Sequence, residues 1–356
     1  MSRRTVVAMS GGVDSSVAAS LLAEAGRDVV GLSMQLYDQS DPAGSFGSCC
    51  SLDDLHDARR VAHALGIPHY LVNFEEPFRR VVMADFVSEY ASGRTPIPCV
   101  HCNADLKFAS LVERAAAFDA TAVATGHYAR VTFDEDCRRY RLLRGVDRDK
   151  DQSYFLFSLT QDQLAHALFP VGHLTKAEVR AHARRRGLPV AAKPDSHEIC
   201  FIPDGDTGGF VERHAAAAPP AGDIVDSSGA VIGRHAGVHR FTVGQRRRLG
   251  VSTGTPMYVL RLEPADARVV VGPREELGRD ALTASSVNWI ARAAPAAPLR
   301  VTARIRHRHQ DAPATVEAGP GGRAELRFDE PQLAVTPGQA VVFYAGEEVL
   351  GGGWID

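Results

Sequence analysis

Along the first two hundred residues, short apolar runs alternate with stretches whose apolar positions recur every three or four residues. The runs at 6–9, 29–34, 69–72 and 122–125 predict strands, the first of them buried. Helices are predicted between them. At 13–24, Val17, Leu21 and Leu22 share one face, and Gly26 supplies a stop. At 51–65, Leu52, Leu55, Ala58, Val61, Ala62 and Leu65 keep helical spacing until Gly66-Ile67-Pro68 breaks it. Two further helices are expected over 78–90 and 103–118, the second with Asn103 as its N-cap. Strands separated by helices imply a parallel sheet covered on both faces, an α/β fold whose ligands sit outside the carboxyl ends of the strands.

From about residue 205 the pattern changes to short alternating stretches punctuated by Gly and Pro, such as 231–232, 257–262, 268–271, 324–328 and 340–344. These predict an all-β tail in two units, with the Ala/Pro run at 215–222 as a linker or exposed loop. The expected domains are 1–205, 206–278 and 279–356.

Composition narrows the class. Over 356 residues, 45% are apolar and 23% charged, which is globular and neither collagen-like nor disordered. The net charge of −3 gives no global basic excess. An RNA partner then requires a local basic face acting within a Debye length of about 8–10 Å. The first residues run directly into a strand-like stretch with no long apolar segment, so a cytoplasmic chain without membrane contact is expected. Six cysteines in so large a chain point to a reducing compartment, where thiols are more often catalytic or metal-bound than structural.

The first strand ends in Ser10-Gly11-Gly12-Val13-Asp14-Ser15-Ser16 and a helix follows at once. Two glycines allow a tight turn and close backbone approach, the helix offers unpaired N–H groups, and the serines add hydroxyls. This is an anion cradle rather than a bare βα turn. It is not the Lys-bearing P-loop, because no Lys follows the glycines.

Cys99 and Cys102 form Cys-x-x-Cys just ahead of the helix expected at Asn103, where a helix N-terminus favours thiolate. Cys200 lies in Lys193-Pro194-Asp195-Ser196-His197-Glu198-Ile199-Cys200. Alone, the Cys-x-x-Cys reads as half a zinc site, a redox pair, or two thiols with separate tasks. Cys49-Cys50 lacks metal-ligand spacing, Cys137 reads as a surface thiol and His101 as a solvated loop residue.

The segment at 10–16 resembles the signature of the PP-loop ATP pyrophosphatases. Taken with Cys50-Ser51, Asp57-Ala58-Arg59-Arg60, Gly93-Arg94-Thr95-Pro96, Cys102-Asn103, Gly126-His127-Tyr128-Ala129, Lys150-Asp151-Gln152-Ser153-Tyr154, Lys193 through Pro203, Gly244-Gln245-Arg246 and Thr336-Pro337-Gly338-Gln339, nearly the whole chain resembles the tRNA-specific 2-thiouridylase (MnmA) family. The resemblance implies an adenine nucleotide alpha hydrolase-like PP-loop domain, a small central β domain and a C-terminal β-barrel that grips tRNA. It implies ATP-dependent adenylation of a wobble uridine at its 2-oxygen and replacement of that oxygen by persulfide sulfur. The tRNAs implied are those for Lys, Glu and Gln, served by a persulfide sulfur-donor protein. Cys200 matches the persulfide carrier and Cys102 the partner nucleophile, closing a Cys102–Cys200 disulfide or releasing hydrosulfide. ATP positions carried over are Ala8, Met9, Ser10, Gly11, Gly12, Val13, Asp14, Ser15, Met34 and Gly126, with Asp14 organising Mg²⁺ or the phosphates. Target-base positions are Ile97, Pro98 and Cys99, where the Ile departs from the Asn of many members. Further tRNA positions are His127, Lys150, Asp151, Gln152, Arg306, His307 and Gln339. His197 stands where many members have Gln.

Arg304, Arg306 and Arg308 alternate, which on a strand would place all three on one phosphate-binding face. Arg184-Arg185-Arg186 and Arg246-Arg247-Arg248 are further basic candidates. Three rival readings stand beside the thiouridylase: a PP-loop synthetase for a small metabolite, an enzyme with an iron–sulfur cluster on Cys99, Cys102 and Cys200, and a tRNA-binding module without catalysis.

Overall fold

The structure, a computed structural model, describes residues 4–37, 52–195, 199–217, 219–252 and 254–356. Cys49, Cys50, Ser51 and His197 lie outside the described residues. The N-terminal half is built on β1 (Arg4–Ala8), β2 (Asp28–Gln35), β3 (His69–Asn73), β4 (Ala122–Ala124) and, further along the chain, β7 (Ala167–Leu168). They form one parallel sheet in the order β3-β2-β1-β4-β7. The chain leaves β1 at mid-sheet and later passes to β4 on the other side, so the crevice at a topological switch point lies directly above β1.

Around the sheet lie α1 (Val13–Glu24), α2 (Leu52–Leu65), α3 (Glu75–Phe78), α4 (Ala84–Ala91), α5 (Pro98–His101), α6 (Ala109–Ala117), α7 (Gln161–His166) and α8 (Lys176–Arg185). Two helices pass through π-helical turns, at Arg79–Met83 and Cys102–Phe108. Asn103 is not an N-cap: the helix begins at Pro98, whose fixed φ suits the first helical position. Asn103 is buried within it, accepting from Lys107 Nζ at 3.2 Å and donating to Phe155 O at 3.4 Å. Cys102 therefore opens the π turn one helical turn in, and its amide already donates to the Pro98 carbonyl.

A hairpin the apolar pattern did not single out, β5 (Ala129–Asp134) and β6 (Arg139–Arg144), leaves the sheet. The tail beyond residue 205 is not all-β, because α9 (Thr207–His214) opens it. Gly208 and Gly209 hide this helix from a propensity reading, but Asp206 caps it through the Gly209 amide at 3.0 Å. The middle sheet follows, with β8 (Gly222–Asp226), β9 (Val231–His235), β10 (Tyr258–Glu263) and β11 (Arg268–Gly272) in the order β10-β11-β8-β9. The last part is an antiparallel barrel of β12 (Gly278–Trp289), β13 (Leu299–Arg304), β14 (Ala312–Ala318), β15 (Ala324–Leu333), β16 (Ala340–Ala345) and β17 (Glu348–Ile355), closed by pairing of β12 with β17. No described helix is long and apolar enough to cross a membrane.

The barrel and the sheet domain share a core. Val342, Tyr344 and Val349 lie in the same hydrophobic cluster as Phe108, Tyr154 and Phe157. β6 also pairs with β17, matching Leu142 to Val349. At this junction Arg144, 1% exposed, lies 3.5 Å over the Tyr344 ring and bonds Asp311. Asp151, its side chain 1% exposed, accepts from the Gly145 amide and from Ser153, and faces Arg144 at 3.5 Å and Arg304 at 3.7 Å. Asp151→Ala leaves Arg144 and Arg304 with Asp311 as their carboxylate and strips the Gly145 amide and Ser153 of a buried acceptor. It is expected to cost about 1–3 kcal/mol, read as a lowered urea midpoint; an unchanged midpoint would contradict this account of the junction.

Candidate active site

Above β1, the chain turns sharply. Gly11 has φ +74°, and a Cβ there would stand 2.1 Å from the Asp54 carbonyl oxygen. Only glycine lets α2 begin so close to the turn. Gly12 takes an extended conformation as the N-cap of α1. The Ser15 hydroxyl accepts from the Ser10 amide at 3.2 Å, and the Ser16 hydroxyl donates to Gly12 O at 2.8 Å. These bonds fix the turn with the N-terminus of α1 open toward the crevice. Gly126, after β4, closes the other side: a Cβ on it would lie 2.5 Å from the Ser15 amide nitrogen. Met9 is buried beneath the turn, and Met34, toward the end of β2, is buried opposite Val72.

A charged cluster surrounds this turn. Asp14 accepts from Tyr128 Oη at 2.8 Å and from Lys176 Nζ, which lies 2.8 Å from each carboxylate oxygen. Lys176 also reaches Asp195 at 2.9 Å, where Lys150 and Arg180 converge at 2.7 and 2.8 Å. Burial acts to raise the Asp195 carboxyl, but hydrogen bonds from Lys150 and Lys176 outweigh it and hold it well below the usual carboxylate range. Burial, and next the Asp14 charge, push the Tyr128 phenol far up, so it remains a donor. On the far side of the turn Lys193 Nζ donates to Gly11 O at 3.1 Å and to Asp54 and Asp57, both at 2.6 Å.

His127 is half-buried, with Nδ1 2.8 Å from Thr125 Oγ1. Removal from water, and then the Lys107 charge, push its pKa down to about 3 from 6.5. Between these values the unfolded chain binds a proton that the folded chain does not. The stability carried by the neutral ring is thus complete above pH 6.5 and is lost as pH falls through about 3. The urea midpoint of the wild type is expected to drop between pH 7 and pH 5, and His127→Gln is expected to flatten that drop.

The segments that carry Cys102 and Cys200 both reach α4. Cys102 is buried, Cys200 is half-buried, and both belong to or pack against one hydrophobic cluster, whereas Cys99 is exposed. His101, beside Cys102, lies 2.7 Å from Asp105 and 3.7 Å from Asp85. It is no solvated loop residue, because its ring stacks on Trp354 of the barrel at 4.8 Å. Phe201, beside Cys200, packs edge-on against Phe86 at 5.2 Å. The neighbours of the two cysteines thus touch consecutive residues of α4. Among the described residues no three of His, Cys, Asp or Glu are grouped to hold a metal ion. Cys99, Cys102 and Cys200 are not grouped as the three-thiolate donor set of an iron–sulfur cluster.

Residues 3–204 match the model of the tRNA methyl transferase HUP domain, 208–273 that of the tRNA methyl transferase PRC-barrel domain, and 279–355 that of the aminomethyltransferase beta-barrel domain. The tRNA-specific 2-thiouridylase MnmA of Geobacter metallireducens is 54% identical over 358 residues, covering 99% of this chain and 97% of that protein. The protein of the same name from Solibacter usitatus is 54% identical, covering 98% of each. The chain belongs to the MnmA family.

Within this MnmA-family chain the other expected positions fall into two groups. Ile97 and Pro98 are buried and Cys99 is exposed at the start of α5, so Ile97 contributes packing. Lys150 and the exposed Arg306 stand at the surface, with Arg306 donating to Leu333 O at 3.1 Å. The remainder hold the framework. Asp151 is sealed in the junction. Gln152 exchanges two bonds with the Tyr128 backbone, at 3.0 and 2.9 Å. His307 packs 4.5 Å from the Phe155 ring, and Gln339 donates to Thr95 O at 2.8 Å. The alternating arginines do not share a strand face: β13 stops at Arg304, which turns inward to Asp311, and residues 305–308 form a turn. Missed altogether were Tyr128, Asp54, Lys176, Lys193 and Asp195 as groups around the turn. For Lys176 a signal existed, since Thr175 and Glu178 form a capping box that fixes it at the first position of α8.

Proposed function

We propose that this chain is an ATP-dependent tRNA 2-thiouridylase acting on the wobble uridine of tRNAs for Lys, Glu and Gln in the cytoplasm. One observation carries the reading. Lys193 is bonded to the Gly11 turn, while Phe201 packs against Phe86 of α4, next to the Asp85 that faces His101, so Cys200 lies seven positions along the chain from a residue anchored on the nucleotide turn and beside a residue anchored near Cys102.

The amides at the N-terminus of α1 and the Ser10 and Ser15 hydroxyls would hold the pyrophosphate end of ATP, with Ala8, Met9 and Val13 shaping the turn. Gly126 and Met34 would border the remainder of the nucleotide. Asp14 would hold Mg²⁺, which supplies charge neutralisation to the phosphates. The uridine 2-oxygen attacks the α-phosphorus and pyrophosphate leaves. Adenylation is needed because a ring carbonyl oxygen is a poor leaving group and AMP is a good one. The terminal sulfur of a Cys200 persulfide, loaded by a sulfur-donor protein, then attacks C2, and the C2–O bond to AMP breaks. Cys102 thiolate attacks Cys200 Sγ, and the electron pair of the broken S–S bond stays with the base sulfur. The products are 2-thiouridine and a Cys102–Cys200 disulfide, which an external thiol reduces. Exposed Cys99 and Arg306 and half-buried His127 and Lys150 are the side chains placed to meet RNA, with Ile97, Pro98, Asp151, Gln152, His307 and Gln339 supporting them.

The methyl-transfer wording of two family models names a different chemistry, which leaves the anion turn and the cysteine pair without tasks. Unmodified tRNA incubated with ATP and a persulfide donor is expected to yield 2-thiouridine with equal AMP and pyrophosphate. Incorporation of label from a methyl donor, with no ATP consumed, would overturn the reading.

A further inference from the structure

This inference rests on the ATP-dependent reading above and deepens it. α1 and α8 lie side by side in step. Lys176 meets Asp14 in their first turns, and His182 meets Ser20 at 3.0 Å six residues further along each helix. Equal offsets make the helices parallel, so their first turns lie at the same place, that of α8 being capped by Thr175 and Asp147. The turn itself carries no lysine, yet one arrives there from α8.

Lys176 is placed to be released. Its side chain is 12% exposed, against 31% for the Asp14 carboxylate in front of it. When its ammonium leaves Asp14, that carboxylate keeps the Tyr128 hydroxyl at 2.8 Å. When it leaves Asp195, that carboxylate keeps Lys150 and Arg180. Neither anion is abandoned, which is unlike a salt bridge whose two partners depend on one another.

We propose that Lys176 is the cation for the β,γ-phosphates of ATP, parked on Asp14 and Asp195 until nucleotide enters the turn. It supplies from α8 the charge-assisted contact that other phosphate loops take from their own lysine.

The test compares ATP with AMP, which lacks the β- and γ-phosphates. Affinities in Mg²⁺ are measured by equilibrium dialysis for the full-length wild type, Lys176→Met and Lys176→Arg. Lys176→Met is expected to weaken ATP by roughly 10–100-fold and AMP by less than about twofold, with Lys176→Arg between wild type and Met for ATP. Competition by inorganic pyrophosphate is expected to weaken in step with ATP. Unchanged ATP affinity, or ATP and AMP affinities falling together, would overturn the assignment. Should Lys176→Met fail to fold, the same comparison is made with Lys176→Arg: an ATP-selective loss supports the assignment, and wild-type affinity for ATP or a parallel loss sinks it. A wild type that shows this ATP dependence on Lys176 yet makes no 2-thiouridine removes the thiouridylase reading and leaves the phosphate assignment standing.

Discussion

Cys200→Ser is expected to reduce 2-thiouridine formation by roughly 10³-fold or more, while pyrophosphate release with tRNA continues. Serine cannot carry a persulfide, but the turn at Ser10 and the face of Gly126 are untouched by the change. Loss of sulfur transfer without loss of adenylation separates the two halves of the reaction. Cys102→Ser is expected to lower turnover as severely, with a different residue of the reaction left behind. Sulfur already joined to C2 remains linked to Cys200 when no thiol attacks that bond. A tRNA–protein adduct is therefore expected on non-reducing gels, dissolving on addition of a reductant. Normal thiolation by either variant would contradict the roles assigned to both. Thiolation lost without an adduct in Cys102→Ser selects the hydrosulfide route.

The second large effect is expected at Gly126. Gly126→Val places branched carbon where a bare Cβ already meets Ser15 N at 2.5 Å and Asp14 C at 2.7 Å. Both atoms are backbone, so relief requires the first turn of α1 to move. A displacement of about 1 Å at such a position costs on the order of 10²-fold, and the same loss is expected in kcat/KM for ATP. Persulfide loading of Cys200 serves as the control, because sulfur passes from a donor persulfide to that thiol without consuming ATP. ATP kinetics within twofold of wild type would show that β4 and α1 do not jointly bound the nucleotide (~0.4 kcal/mol being the usual tolerance of such comparisons).

Much of this was legible in the chain because local signals and tertiary demands agree. The helix expected at 13–24 is found at Val13–Glu24, buried on most sides and packed in one cluster with residues of β1, β2, α2 and α8. β1, β2 and β3 lie where unbroken apolar runs predict them. Where the two levels part, the reading failed for identifiable reasons. Asn103 has the chemistry of a cap, but Pro98 starts the helix earlier and burial assigns the amide other partners. Arg304, Arg306 and Arg308 alternate as a strand would, yet Asp311 and Asp151 draw the first of them inward and the strand ends there. Lys176 and Asp195 are 162 and 181 positions from Asp14, and no one-dimensional spacing announces that three elements will meet at one carboxylate.

The pairing of β6 with β17 has a consequence for biosynthesis. The ribosome produces β17 about two hundred residues after β6, roughly 10–40 s later at ordinary elongation rates. Until then the hairpin edge has no neighbour, and the Arg94 guanidinium lacks the carbonyl of Ile355 that it meets at 3.0 Å. The nucleotide half of a nascent chain thus waits, incomplete, for its own distal end, and molecular chaperones have that interval in which to act.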